Sequence, residues 1–345
     1  MTAGGAQAML KGTLTLPGRR TVVAGAGPLL LPVAAGLAAA GARIEALIDC
    51  ADPRGLIRHA PALAASPDKL VEGLGYAIRF ARHRVPIRYR HAVVAAHGER
   101  RVEAVTVAAL DRDGRVRAGS ERRIACDSVA IGHGLLPHLD LALGLGPRVE
   151  DGNGPGVWVD QWQQTSVPGL WAAGETTGIG GAALAEVEGE IAGRSAASWL
   201  RHAVEPNRPG GDARPAVSAK SARRRRRLRG FFAALDAVYS PPATLVDLIT
   251  ADTTVCRCEE VTAAAVREAV REYGATDLRT VKLLTRAGMG WCQGRVCGPA
   301  VARLVAECGG AGGSPLDGAS APRPLARPVP LGVLALDDPD EEGIR

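Results

Sequence analysis

The chain has 345 residues, 46% of them hydrophobic, which is enough apolar material for two or three folded domains and argues against a disordered polypeptide. The net charge of +6 is local, because Arg223 to Arg227 and Arg229 by themselves match the whole excess. With no aromatic platform beside them, a solvated linker or helix start is expected there and no nucleic-acid partner. Seven cysteines, four of them in a tight pattern, argue against a secreted disulfide framework and for a reducing compartment, so a cytoplasmic location is expected.

In chain order, TVVAGAG, PLLLPVAAGLAAAG and ARIEALID at 21–49 predict strand, glycine turn, helix and strand, a βαβ unit. The uncharged stretch Val22 to Ala42 is long enough to span a bilayer, but it is Ala-dominated and broken by Gly25, Gly27, Pro28, Pro32, Gly36 and Gly41, so no membrane span is expected. Val102 to Ile131 alternates around the turn pair Asp113-Gly114 and predicts a β-meander. GLWAAG at 169–174 predicts a strand that enters a glycine-rich turn and then a small-residue helix, 182–200.

Residues 205–222 are rich in Pro, Gly, Arg and Ser and read as a linker, after which RRLRGFFAALDAVY predicts a helix stopped by Pro241-Pro242. Three more helices follow: one capped by Thr262, with Val266, Ala269, Val270 and Tyr273 on one face and Gly274 ending it, one from Thr276-Asp277, and one after Gly298-Pro299. From Gly309 onward the composition predicts an extended tail.

Cys256-x-Cys258 and Cys292-x4-Cys297 form two loop-borne thiol pairs joined by a helical hairpin. Four thiolates meet the needs of a 2Fe-2S cluster, in which each iron takes two protein sulfurs. Gly288, Gly290, Gly294 and Gly298 let the second loop wrap closely and aim N–H groups at sulfur, and helices beginning after Cys258 and Cys297 would turn positive ends toward an anionic centre. On spacing alone, structural zinc and four metal-free cysteines remain open, although Cys-x-Cys is a tight step for zinc. Cys50, Cys126 and Cys308 are expected to be packing residues. The runs VCRCEEVTAAAVREAV and RAGMGWCQGRVCG resemble the bacterioferritin-associated-ferredoxin type of 2Fe-2S domain, in the version fused behind FAD/NAD(P)-binding oxidoreductases. That resemblance implies cluster ligation by Cys256, Cys258, Cys292 and Cys297.

Gly25 and Gly27 follow a strand and open a helix, the setting in which a pyrophosphate approaches backbone, and Asp49 ends the next strand where a ribose hydroxyl would lie. Leu30 occupies the third glycine position and Pro28 has no N–H, so a possible nucleotide at this second dinucleotide site stands against an empty or repurposed pocket. In TSVPGLWAAGETTGIGG, the carboxylate of Glu175 is set beside a turn containing Gly174, Gly178, Gly180 and Gly181, which suits hydroxyls and phosphates of FAD; an ordinary glycine-rich βα turn is the alternative. This segment resembles the second FAD motif of pyridine nucleotide-disulfide-reductase-like flavoproteins, with Glu175 where Asp is usual. IGHGLLP at 131–137 resembles the connection back to the FAD domain.

The resemblance implies an α/β, Rossmann-like two-dinucleotide-binding flavoprotein scaffold plus a small helical 2Fe-2S domain. Its parts would be a crossover remnant of the FAD domain at 1–17, an NAD(P)-binding-like domain with the meander at 18–124, the C-terminal part of the FAD domain at 125–204, a linker and Arg-rich helix at 205–250, the cluster domain at 251–308 and the tail at 309–345. Such scaffolds open with a strand and GxGxxG turn for the FAD adenosine, which this N-terminally truncated sequence lacks, so stable FAD binding by this chain alone is not expected. The chain is similar to the A subunits of opine and D-hydroxyproline dehydrogenases and to the B subunit of hydrogen cyanide synthase. Implied is an electron-transfer subunit of a heteromeric amine dehydrogenase, whose partners are an electron acceptor and a flavin-containing, substrate-oxidising subunit. Two other readings are a self-contained NAD(P)H-dependent reductase using Gly25, Gly27 and Asp49, and a non-catalytic 2Fe-2S relay module. No catalytic acid, base or nucleophile is assigned.

Overall fold

The computed structural model describes residues 1–152, 154–204 and 217–310; most of the expected linker and nearly all of the tail lie outside them. The element order is α1 (Ala3–Thr13), β1 (Arg20–Ala26), α2 (Leu30–Ala39), β2 (Arg43–Asp49), α3 (Ala60–Ala64), α4 (Pro67–Arg82), β3 (Ile87–Tyr89), β4 (His91–His97), β5 (Ala104–Ala109), β6 (Arg122–Ala125), β7 (Ser128–His133), α5 (Asp140–Leu145), β8 (Val149–Gly152), β9 (Gly154–Val157), α6 (Gly181–Val204), α7 (Ala219–Tyr239), β10 (Thr254–Cys256), β11 (Val261–Thr262), α8 (Ala263–Arg271), α9 (Leu278–Thr285) and α10 (Gly298–Glu307).

A parallel sheet in the order β3-β2-β1-β7 forms the centre, and β1 is buried on both faces as parallel strands are. Strand alternation divides its side chains: Val23 and Leu47 face a core with Ala3, Ala6, Leu30, Val33, Leu37 and Phe80 from α1, α2 and α4. Val22, Ala24, Ala46 and Ile48 face the other way, onto Val105 and Val107 of the antiparallel sheet β4-β5-β6. Gly25 cannot be replaced in this geometry, because it has φ +141° and a Cβ there would collide with the Gly132 carbonyl of β7.

A second core unites Cys256, Val261, Ala263, Val266, Ala269, Val281, Cys297, Val301 and Leu304 of the C-terminal unit. Thr262 caps α8 by accepting from the Ala265 N–H at 3.3 Å, and Asp277 caps α9 by accepting from the Thr280 N–H at 2.9 Å. Cys50 and Cys126 are buried and Cys308 packs against this second core.

Four expectations are corrected. Residues 169–174 form no strand of their own: Trp171 bridges Gln164, with the Thr165 N–H donating to the Leu170 carbonyl and the Ala172 N–H to the Gln163 carbonyl, but the pairing stops there because the chain enters a 3-10 turn at Gly174. Tyr273 lies past the end of α8 and is exposed, its hydroxyl donating to Glu268. α8 begins at Ala263, after the β10–β11 hairpin, so no helix starts directly after Cys258. The arginine run lies inside α7, and Arg225 and Arg229 turn inward to a buried carboxylate, because α7 packs along α6.

Candidate iron-sulfur centre and flavin-side turn

Cys256 ends β10, Cys258 sits in the tight turn after it, and Cys292 and Cys297 lie in the glycine-rich loop before α10. The thiols form two contacting pairs, Cys256 with Cys297 and Cys258 with Cys292. Cys256 and Cys297 are buried, Cys292 is half-buried and Cys258 is exposed, so one edge of the site faces solvent. Gly288 and Gly294, both at positive φ, fold the loop back on itself, and a Cβ on Gly290 would collide with that of Cys258.

The Gly288 N–H points at Cys256 Sγ, 3.5 Å away. Burial pushes the Cys292 thiol up, but the N–H groups of Val296, Gly294 and Cys297 and the Cys258 thiol outweigh it, so its pKa falls below the ordinary thiol value. Cys297 is pushed up to about 12, first by burial, then by the adjacent Cys256 and Cys292. Four neighbouring thiolates require a cationic core, and the N–H groups aimed at sulfur are the donors an iron-sulfur centre uses. Among the described residues no three Cys, His, Asp or Glu side chains gather around a point suited to a single ion. Two contacting thiol pairs match the two sulfurs that each iron of a 2Fe-2S cluster takes from a protein.

The cluster loop meets the scaffold at the β7–α5 connection. Arg295 donates to Asp140 Oδ2, which His138 Nε2 also approaches at 3.1 Å. His133, at the end of β7, keeps much of its surface exposed, and the protein packed around its ring, then Arg303 of α10, lower its pKa.

At the other candidate site, Gly174 to Thr177 form a 3-10 turn wedged between β9 and α7. Glu175 turns back on the start of α6, its Oε1 accepting from the N–H groups of Gly181 at 2.8 Å and Gly180 at 3.4 Å, which satisfies donors at the helix N-terminus. Gly178 lies under Arg229, and Gly181 lies under Phe232.

Sequence reading missed Glu188, which is 0% exposed and accepts from the Gly174 N–H, the Thr177 hydroxyl and Arg229. The signal was present: Leu184, Val187 and Ile191 are buried at helical spacing, so Glu188 is a charge on an apolar stripe. Gly25, Gly27 and Asp49 do come together, as Gly25 pairs with Asp49 across β1 and β2, but all three are buried. Asp49 Oδ1 accepts from the Ala51 N–H at 2.9 Å, and burial raises its pKa to about 6. Among the described residues no helix is long and apolar enough to cross a membrane.

A parallel dinucleotide-type sheet followed by a four-thiol domain defines a flavin and iron-sulfur oxidoreductase. The chain belongs to the pyridine nucleotide-disulphide oxidoreductase family, matched over residues 3–197, and carries a BFD-like [2Fe-2S] binding domain at 254–307. It is 33% identical over 302 residues to hydrogen cyanide synthase subunit HcnB of Pseudomonas aeruginosa, covering 86% of this chain and 63% of that protein. It is also 33% identical over 348 residues to the A subunit of opine oxidase from Rhizobium meliloti strain 1021, covering 97% of this chain and 70% of that one. The chain thus spans less than two thirds of the length of HcnB. The fold is also that of L-proline dehydrogenase from P. horikoshii, with a TM-score of 0.53 and 18% identity over 95% of this chain and 52% of that one.

Proposed function

We propose that the chain is the electron-transfer subunit of a heteromeric amine dehydrogenase acting on an opine, D-hydroxyproline or a related amino acid. A separate flavin-containing subunit oxidises the substrate, and this chain delivers the electrons to an acceptor. The observation that supports this most is a four-thiol centre with one solvent-facing edge, tied by Arg295 and Asp140 to a flavoprotein scaffold. Relatives named as subunits of hydrogen cyanide synthase and opine oxidase support a partner subunit.

In this reading Cys256, Cys258, Cys292 and Cys297 hold the cluster, while Gly174, Glu175, Gly178, Gly180 and Gly181 form the flavin-side turn. When bound, the cluster carries single electrons and the flavin accepts them in pairs. The chain's own residues orient the centres: Gly288 and the 294–297 backbone donate to sulfur, and Glu188 with Arg229 fixes the turn. The proposed compartment is the cytoplasm, on seven free cysteines.

The test is co-expression with an adjacent flavoprotein gene product, followed by anaerobic iron and sulfide analysis and amine-dependent dye reduction. Iron and sulfide in the chain with dye reduction by an opine or imino acid is expected. Zinc in the thiol site, or a co-purified complex inert to every amine tried, overturns the proposal.

A further inference from the structure

The crevice formed by the β1 turn and the end of β2 is already filled. Ala26 is 2% exposed, Asp49 2% and Cys50 5%. Ala26, Cys50, Ala92 and Leu110 form a small core closed by Val116, Leu245 and Leu248, the last two from the short 3-10 helix Ala243–Leu248. Thr244 Oγ1 donates to the Gly114 carbonyl at 2.9 Å, and a Cβ on Gly114 would lie 2.6 Å from Pro242 Cβ. One residue before the end of α7, Val238 packs on Gly55, where a Cβ would lie 3.2 Å from Val238 Cγ2. Tyr239 follows, its pKa pushed up to about 12 by burial and then by Tyr89 and Asp49.

The same 3-10 helix has a second face. In 3-10 geometry residues i and i+3 eclipse. Leu245 and Leu248 share the face that enters the crevice, whereas Val246 and Ile249 share the face that packs on the cluster-domain core around Cys256 and Val266.

We propose that this crevice is no nucleotide site but the socket in which the chain seats its own segment Tyr239–Leu248, and that this two-faced bolt fastens the 2Fe-2S domain to the scaffold. A nicotinamide nucleotide reaching Gly25, Gly27 and Asp49 would have to displace Leu245, Leu248 and Tyr239, and with them the anchor of the cluster domain. The missing N–H of Pro28 and the side chain of Leu30 follow from this, since the turn has no pyrophosphate to bind. The inference is independent of which amine the complex oxidises.

The test uses the full chain with its cluster intact. Calorimetric titration with NADH and with NADPH is expected to give no binding heat, and neither nucleotide to bleach the cluster absorbance. In the Leu245→Ala/Leu248→Ala variant, amide exchange at Ala26, Cys50 and Ala51 is expected to quicken at least about tenfold, with iron content unchanged. Leu245→Ala alone gives the same readout in smaller measure if the double variant does not fold. Saturable binding of either nucleotide with protection of the 25–27 amides overturns the proposal, as does unchanged exchange in a folded Leu245→Ala protein.

Discussion

Arg229 of α7 grips the carboxylate of Glu188 on α6, with Nη2 at 2.7 Å and Nε at 2.9 Å from Oε1. The same guanidinium donates to the Thr177 carbonyl at 3.0 Å, so one side chain ties a buried anion to the Gly174–Thr177 turn. Removing one partner of a buried pair strands the other charge. Arg229→Ala is therefore expected to destabilise the protein by about 3 kcal/mol, near the low end for buried pairs because Arg225 and the Gly174 N–H still face the carboxylate. Arg229→Lys restores the charge but not the fork, and should recover only part of the loss. Urea midpoints of the three proteins provide the measurement, and equal midpoints would remove the clamp.

Asp49 sets a pH dependence whose sign is fixed by burial. Its pKa is raised to about 6 in the folded chain, so its contribution is full below the unfolded carboxylate value and is lost as pH rises through 6. Wild type is expected to weaken relative to Asp49→Asn by about 2 to 3 kcal/mol between pH 4 and pH 7. The comparison must be with the variant, because burial raises Asp236 to about 6 as well. Parallel stability curves for the two proteins would refute this.

Gly290 lies against Cys258, leaving no room for a methyl group. Gly290→Ala is expected to lower cluster affinity by at least about tenfold, the scale seen when groups around metal ligands are disturbed, while the scaffold unfolds at its usual temperature. Visible absorbance and iron content report the loss, and full occupancy in the variant would show that the loop has slack.

Gln163 is 0% exposed and neither atom of its side-chain amide has a hydrogen-bond partner among the described residues. An unsatisfied buried polar group costs about 1 to 3 kcal/mol. Gln163→Met keeps the length and removes both atoms, so stability should rise by about 1 kcal/mol in thermal or urea unfolding. A fall would show that the amide has a partner in solution.

By itself the sequence determined what depends on local spacing. The Cys-x-Cys and Cys-x4-Cys pairs mark the proposed donors, the βαβ pattern at 21–49 declares a parallel unit, and Thr262 and Asp277 declare their helix starts, because caps and loop ligands act within a few residues. Tertiary structure alone decided what depends on packing between distant segments. Glu188 and Arg229 lie 41 residues apart, and only the packing of α6 on α7 makes them a pair. Residues 169–174 have strand composition, yet a strand is a property of two chains side by side, and the pairing with 163–165 ends after one bridge because the chain turns into a 3-10 helix at Gly174. Gly25, Gly27 and Asp49 fit a nucleotide crevice and an empty or repurposed pocket alike, and only the folded chain packs Leu245 and Leu248 against the neighbouring Ala26 and Cys50, since burial is set by whatever segment arrives there and not by the crevice's own residues.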